Sequence, residues 1–186
     1  MPRRILQAWI ERLKPSVDKV TQHPWVVKHV PALADPDLWH LNRRSTARAV
    51  AVGLLCGLVP GPLQVAGAIA LCLVTRANFP LAALTTLYTN PLTIVPLYLL
   101  AYEYGRLFFP DAPHATAAMP PSWSGITTYV PALASWAKEL GKPLALGIVL
   151  LATTLATIGF VAVRVAWRCH TVAAWRRRAR RRGRAA

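Results

Sequence analysis

Three long stretches of the chain carry no charged residue, and each has its own pattern of apolar and polar positions. The first runs from Ala49 to Val74, and as one continuous helix it would measure about 39 Å at 1.5 Å per residue. Pro60-Gly61-Pro62 stands near its middle. The prolines remove two backbone donors and drive Gly61 to extended geometry, so the pattern predicts two half-helices of about 11 and 12 residues. Gly53, Gly57 and Gly61 recur at four-residue spacing, which allows a second helix to approach closely. The second stretch, Phe79 to Tyr102, is interrupted by Asn90-Pro91, with Pro96 a turn later. Each half is too short to cross a hydrocarbon core of about 30 Å, and paired interruptions of this kind point to re-entrant or discontinuous helices. The third stretch, Leu144 to Val163, is unbroken and about 20 residues long, the length of an ordinary spanning helix.

The flanks complete the expected architecture. Ile5, Leu6, Trp9, Ile10 and Leu13 share one helical face, with Arg3, Arg4, Arg12 and Lys14 around it, the pattern of a helix lying in a membrane interface. Pro24, Pro31 and Pro36 then break periodicity, and Trp25 and Trp39 are suited to headgroup depth. A polar loop follows the second stretch, and a short helix is predicted from Pro131 to Leu140, ended by Gly141 and Pro143. The expected fold is an all-α membrane protein with an interfacial N-terminal helix, two proline-broken segments, one transmembrane helix and a disordered basic tail. Its expected parts are a cytoplasmic lead-in (1–37), a membrane domain (38–108), a polar loop with a short amphipathic helix (109–142), the transmembrane helix (143–168) and an arginine-rich tail (169–186).

Composition agrees with this pattern: 54% of residues are hydrophobic, mean hydropathy is +0.35, and only 16% are charged, against about 25% in soluble chains. The formal net charge of +15 calls for a polyanionic partner, and its placement indicates which. Residues 1–48 and the segment from Arg164 onward are strongly basic, the latter without one acid, whereas Glu103 to Lys142 is balanced and Arg76 stands alone between the first two stretches. Three full spans would put the two basic ends on opposite faces, against the positive-inside rule. A re-entrant first stretch puts Arg43, Arg44, Arg48, Arg76 and the tail on the cytoplasmic side and 103–142 outside, so it is favoured over a re-entrant second stretch. Anionic headgroups are the expected contacts of these arginines and of Arg176, Arg177, Arg178, Arg180, Arg181 and Arg182. Only six residues separate Arg4 from Glu11, too few for the apolar core of a cleaved signal peptide. Cys56, Cys72 and Cys169 are read as small apolar residues, not as a disulfide framework.

Candidate chemistry is sparse. There is no His-Glu-x-x-His, no Cys-x-x-Cys pair and no phosphate-binding glycine loop, acids are scattered, and all five histidines lie outside the apolar stretches, so no enzyme, metal or cofactor is expected. The interruptions remain. A broken helix leaves carbonyls before the break and amides after it, and lipid satisfies neither. Gln64 and Asn90, with Thr89 and Thr93, are the candidate partners around Pro60, Gly61, Pro62 and Pro91. If the two breaks meet at mid-depth, the N-termini of the second halves turn partial positive charge toward one point. Transport or translocation of a small anionic or phosphate-bearing, lipid-like substrate is one reading, with homo-oligomers completing the pathway. A scaffold or accessory subunit, binding a partner membrane protein through the Gly53/Gly57 face and anionic lipid through arginines, is another, and in a third the breaks only let helices pack, with Gln64 and Asn90 hydrogen-bonded to each other. Nucleic acid is disfavoured, because the tail has no interleaved aromatics for base stacking.

Four motifs together resemble a known pattern: Leu38-Trp39-His40-Leu41-Asn42-Arg43-Arg44-Ser45, the run from Gly53 to Gln64, Ala77-Asn78-Phe79-Pro80, and Asn90-Pro91-Leu92-Thr93. Over residues 38–108, including Ala101-Tyr102 and Gly105, the chain resembles a bacterial membrane family catalogued only as a domain of unknown function, number two-zero-six-two in that series. The resemblance implies a location in the bacterial inner membrane and no activity, while the expected multi-pass topology with both termini cytoplasmic comes from the apolar stretches and the charge distribution.

Overall fold

A computed structural model of the chain describes residues 38–39, 42–59, 62–114 and 126–182, and among these it is all-helical. The expected N-terminal interfacial helix, Trp25, Pro60 and Gly61 lie outside the described residues. Among the described residues five helices follow in order: α1 (Arg43–Gly57), α2 (Pro62–Thr75), α3 (Phe79–Thr86), α4 (Ile94–Arg106) and α5 (Ile126–Arg182). Both interrupted stretches are therefore broken where proline stands, the first between α1 and α2 and the second between α3 and α4.

Local chemistry sets the helix starts. Asn42 caps α1, accepting from the amides of Arg44 (2.9 Å) and Ser45 (2.8 Å), while the Ser45 hydroxyl takes the Asn42 amide at 3.1 Å. This reciprocal box satisfies donors that have no intrahelical partner. Asn78, 2% exposed, caps α3 through the Leu81 amide at 3.0 Å, and Pro80 sits in the first turn, where its missing N–H costs nothing.

The two breaks have opposite geometry. Arg48 on α1 donates to the Thr75 carbonyl at the end of α2 (2.8 Å), so the first stretch doubles back into a hairpin whose two ends lie together. The second stretch carries on. α3 runs alongside α1 in the same direction, with Gly53 against Ala82 and Thr85 and Gly57 against Thr86 and Tyr88. Beyond the tip of α1, α4 continues along α5: Gly147 lies on Ala101 and Gly105 lies on Pro143, while Gly159 further along α5 meets Leu54 and Val50 of α1. At the Gly105/Gly147 crossing an added Cβ would collide with backbone atoms, so the close approach is available only to glycine.

α5 bends at Gly141, whose φ of 61° and ψ of −141° suit only a residue without a side chain. Its first arm packs Tyr129, Leu133, Trp136 and Leu140 against Tyr98, Tyr102 and Leu144, one buried residue every three or four positions. The second arm returns past α4 and then α1. α1 joins the two cores, with Leu55 packed on the first and Val52 and Cys56 buried in the second. The second core, under α1, α2 and α3, joins Leu38, Val52, Ala68 and Ala82 with the free thiols Cys56 and Cys72.

α5 extends one expectation and corrects another. The helix predicted from Pro131 begins by Ile126, and as expected it ends at Gly141, whose non-helical backbone separates it from the apolar second arm. The tail expected to be disordered is helical to Arg182, because arginine is a good helix former and propagation from an existing helix is far cheaper than nucleation. By length and composition the range Thr127–Ala173, divided by the kink at Gly141, holds a segment able to cross a membrane, and only 17% of its most apolar window is buried.

Candidate functional site at the junction of the two breaks

α1 ends without a C-terminal side-chain partner of its own, so its last carbonyls need donors from elsewhere. The region around the second break supplies them. Tyr88 donates its hydroxyl to the Leu54 carbonyl at 2.8 Å, Thr89 to the Gly57 carbonyl, and Tyr98 to the Leu58 carbonyl at 3.1 Å. Thr89 and Tyr98 are buried and Tyr88 is half-buried, which shields these bonds from competing water. Three carbonyls at the end of one broken helix are thus held by three hydroxyls from the next broken segment, and the two interruptions meet.

The second break largely caps itself. The Asn90 Oδ1 accepts from the Leu92 and Thr93 amides, both at 3.0 Å. The Thr93 hydroxyl accepts from the Asn90 amide at 3.0 Å and donates to the Tyr88 carbonyl at 2.6 Å. The amides of Thr93 (3.0 Å) and Ile94 (2.9 Å) both donate to the Asn90 carbonyl, and Pro96 has no amide to offer, so the start of α4 has few free donors left for a ligand. Tyr129 of α5 closes the turn from outside through the exposed Pro91, whose carbonyl accepts its hydroxyl at 2.9 Å.

Of the four polar residues singled out from the sequence, Thr89, Asn90 and Thr93 therefore sit together and each already has a structural partner. Gln64 stands apart. It is half-buried on the first turn of α2, just after the hairpin tip, and no hydrogen bond joins its amide to Asn90 or to any other described residue. Pro62 opens α2, so the amides after it form a helix N-terminus beside Gln64. Tyr88, Tyr98 and Tyr129 were not singled out from the sequence. The available signal was a phenol inside or beside an uncharged stretch, since a buried tyrosine hydroxyl nearly always needs a partner.

The junction offers carbonyls, hydroxyls and one amide, groups that orient and bind but do not exchange protons near neutral pH. Around it the Gly53/Gly57 face, expected to receive a partner protein, is filled by α3 of the same chain.

The arginines expected to contact lipid fall into two groups. Arg43, Arg44, Arg48 and Arg76 are exposed at one end of the bundle, where α1 starts and α2 stops. Arg176, Arg177, Arg178, Arg180, Arg181 and Arg182 lie on the last turns of α5. The opposite end is charge-balanced: Arg106 pairs with Glu103 at 2.9 Å, and His114 Nδ1 lies 3.7 Å from the same carboxylate. Trp39 stands half-buried at the basic end, its ring edge-on to Phe79 with centroids 6.2 Å apart.

No curated protein and no solved structure matches the chain. One family model does, across residues 30–176, and its description is an uncharacterized protein conserved in bacteria. That span takes in all five helices but the last turns of α5, including both interruptions and the Gly105/Gly147 crossing, so the chain belongs to the uncharacterized bacterial family DUF2062.

Proposed function

We propose that this protein is embedded in the bacterial inner membrane, with the α1–α2 hairpin entering and leaving from the basic face and α3–α4 and α5 crossing. We further propose that it binds and passes a small anionic or phosphate-bearing, lipid-like substrate beside Gln64, and that it does so without catalysis. The observation that carries the membrane reading is the distribution of side chains. Large apolar residues face outward on every helix from α2 onward, among them Leu63, Leu84, Leu100 and Ile158, while Asn78, Thr86 and Thr89 face inward and are hydrogen-bonded. That inversion suits hydrocarbon solvent and is costly in water. The second arm of α5, from Gly141 to Arg164, would measure about 35 Å, enough to span with a modest tilt. By the positive-inside rule the arginine end is cytoplasmic.

Gln64 supports the substrate reading. The amide of a half-buried residue, with no described partner and beside a helix N-terminus in an apolar setting, is a polar group available to a ligand. The N-terminal amides of α2 favour an anion there. The test is flux of phosphate-bearing amphiphiles in proteoliposomes of the full chain. Gln64→Ala is expected to abolish flux while leaving the thermal unfolding midpoint in detergent unchanged. Wild-type vesicles with no flux above empty ones would instead favour the accessory-subunit reading, in which a partner membrane protein covers the exposed face of α2.

A further inference from the structure

Arg76 is the one residue other than glycine with positive φ among those described, at 50°. It closes α2 in the left-handed position that follows many helices, and the Ala77 amide reaches back to the Cys72 carbonyl at 3.1 Å to complete the motif. Glycine or asparagine usually fills that position, because a Cβ there crowds the backbone. Here a long, exposed cation fills it instead.

A second cost of the same kind lies next to it. Arg43 and Arg44 occupy the first turn of α1, which has no acidic residue, and cations are unfavourable at the positive end of a helix. Arg48 then donates to the Thr75 carbonyl, which fixes its guanidinium one residue from Arg76. α5 runs antiparallel to α1 and has Gly159 against Leu54 and Val50, so Arg164 and Arg168, one and two turns further on, arrive at the same end. Arg164 lies over the Phe160 ring, 5.4 Å from its centroid. Among the described residues no carboxylate pairs with any of these six arginines. The fold therefore gathers like charges at one end, against local preference at Arg43, Arg44 and Arg76, and no described carboxylate offsets them.

We propose that this end is a binding site for the phosphate of anionic phospholipid headgroups, built on Arg48 and Arg76 and flanked by Arg164 and Arg168. Apolar surface begins immediately beside the cations and points to lipid as the source of the phosphate. Val74, two residues from Arg76, is 81% exposed, and Val161 and Val165, on either side of Arg164, are 51% and 53% exposed. A headgroup on the arginines would lay its acyl chains along those valines, a boundary that free phosphate or a nucleic acid would leave unused. The inference rests on membrane embedding as proposed above and is independent of translocation.

The experiment uses the full chain in nanodiscs of phosphatidylcholine with or without phosphatidylglycerol, reading retained lipid by native mass spectrometry and the unfolding midpoint by thermal scan. The wild type is expected to retain phosphatidylglycerol preferentially, with no competition from inorganic phosphate at matched concentration. Arg76→Gly is expected to move the two readouts in opposite directions. Relief of the left-handed strain raises Tm in phosphatidylcholine by about 2 °C or more, while preference for phosphatidylglycerol falls roughly fivefold, the contribution of one cation near an anionic surface. Arg76→Lys is expected to keep the preference. Arg76→Gly with higher Tm and undiminished preference would overturn the proposal, as would competition by inorganic phosphate. Release of the protein from native membranes by alkaline carbonate would overturn the embedding itself, whereas a reconstituted protein without lipid preference would overturn this site alone.

Discussion

Between α1 and α2 the chain reverses, whereas between α3 and α4 it carries on in the direction it already had, although both are proline interruptions of uncharged stretches. The two breaks differ as well in what satisfies their exposed backbone. Asn90, Thr93 and Tyr88 close the second turn among themselves, with partners at most five residues apart. The end of α1 depends instead on Tyr88, Thr89 and Tyr98, partners 32 to 40 residues away. A self-capped break can form early and anywhere. A break whose carbonyls wait for distant hydroxyls is complete only when the second segment has docked.

The largest expected effect tests the docking. Gly147→Val puts a side chain into the Ala101 carbonyl where α4 crosses α5, and a cost of about 3 kcal/mol or more is expected, read as loss of a monodisperse peak in detergent. Thr89→Val removes the donor to the Gly57 carbonyl without changing shape and should cost about 1–3 kcal/mol, since a buried acceptor is left unpaired. Tyr98→Phe strips the Leu58 carbonyl and should act in the same range. If either substitution leaves the unfolding midpoint unchanged, the distant-hydroxyl account of the first break fails. Gly141→Ala meets no atom within 4 Å, so its cost, about 1–3 kcal/mol, would come from backbone conformation alone. Asn90→Ala should cost about 1 kcal/mol, the value of a lost local cap. Gly67→Ala is the control: its Cβ would make an ordinary 3.5 Å contact with the Cys56 sulfur, and helix propensity should stabilise it by about 0.5–1 kcal/mol.

Much of this was legible in the residues. Proline placed both interruptions, the glycines at 53 and 57 announced a close helix neighbour, and the lopsided arginines separated one end of the molecule from the other. The sequence favoured a reversal in the first stretch through the placement of its arginines, but it could not read that from the breaks themselves, because proline states only that a helix stops. That outcome depends on where the segments after the break pack, which Arg48 and Thr75 reveal only in three dimensions. Nor could it choose among polar residues near a break. Gln64 and Asn90 stood out as amides in apolar surroundings, while the hydroxyls that hold α1, on Tyr88 and Tyr98, looked like ordinary aromatic filling. The helical tail was missed for a different reason: charge repulsion argued against folding in isolation, but the segment extends a helix already nucleated and packed.

The account depends most on Arg44 and Arg76 facing the same side of the membrane. In a Cys169→Ser background, which leaves only the buried Cys56 and Cys72, single cysteines at positions 44, 76 and 114 can be labelled with a membrane-impermeant maleimide in right-side-out and inverted vesicles. Positions 44 and 76 should react only in inverted vesicles and position 114 only in right-side-out ones. Reaction of 44 and 76 from opposite sides would mean that the first stretch crosses the bilayer, and the hairpin with its basic face would be wrong.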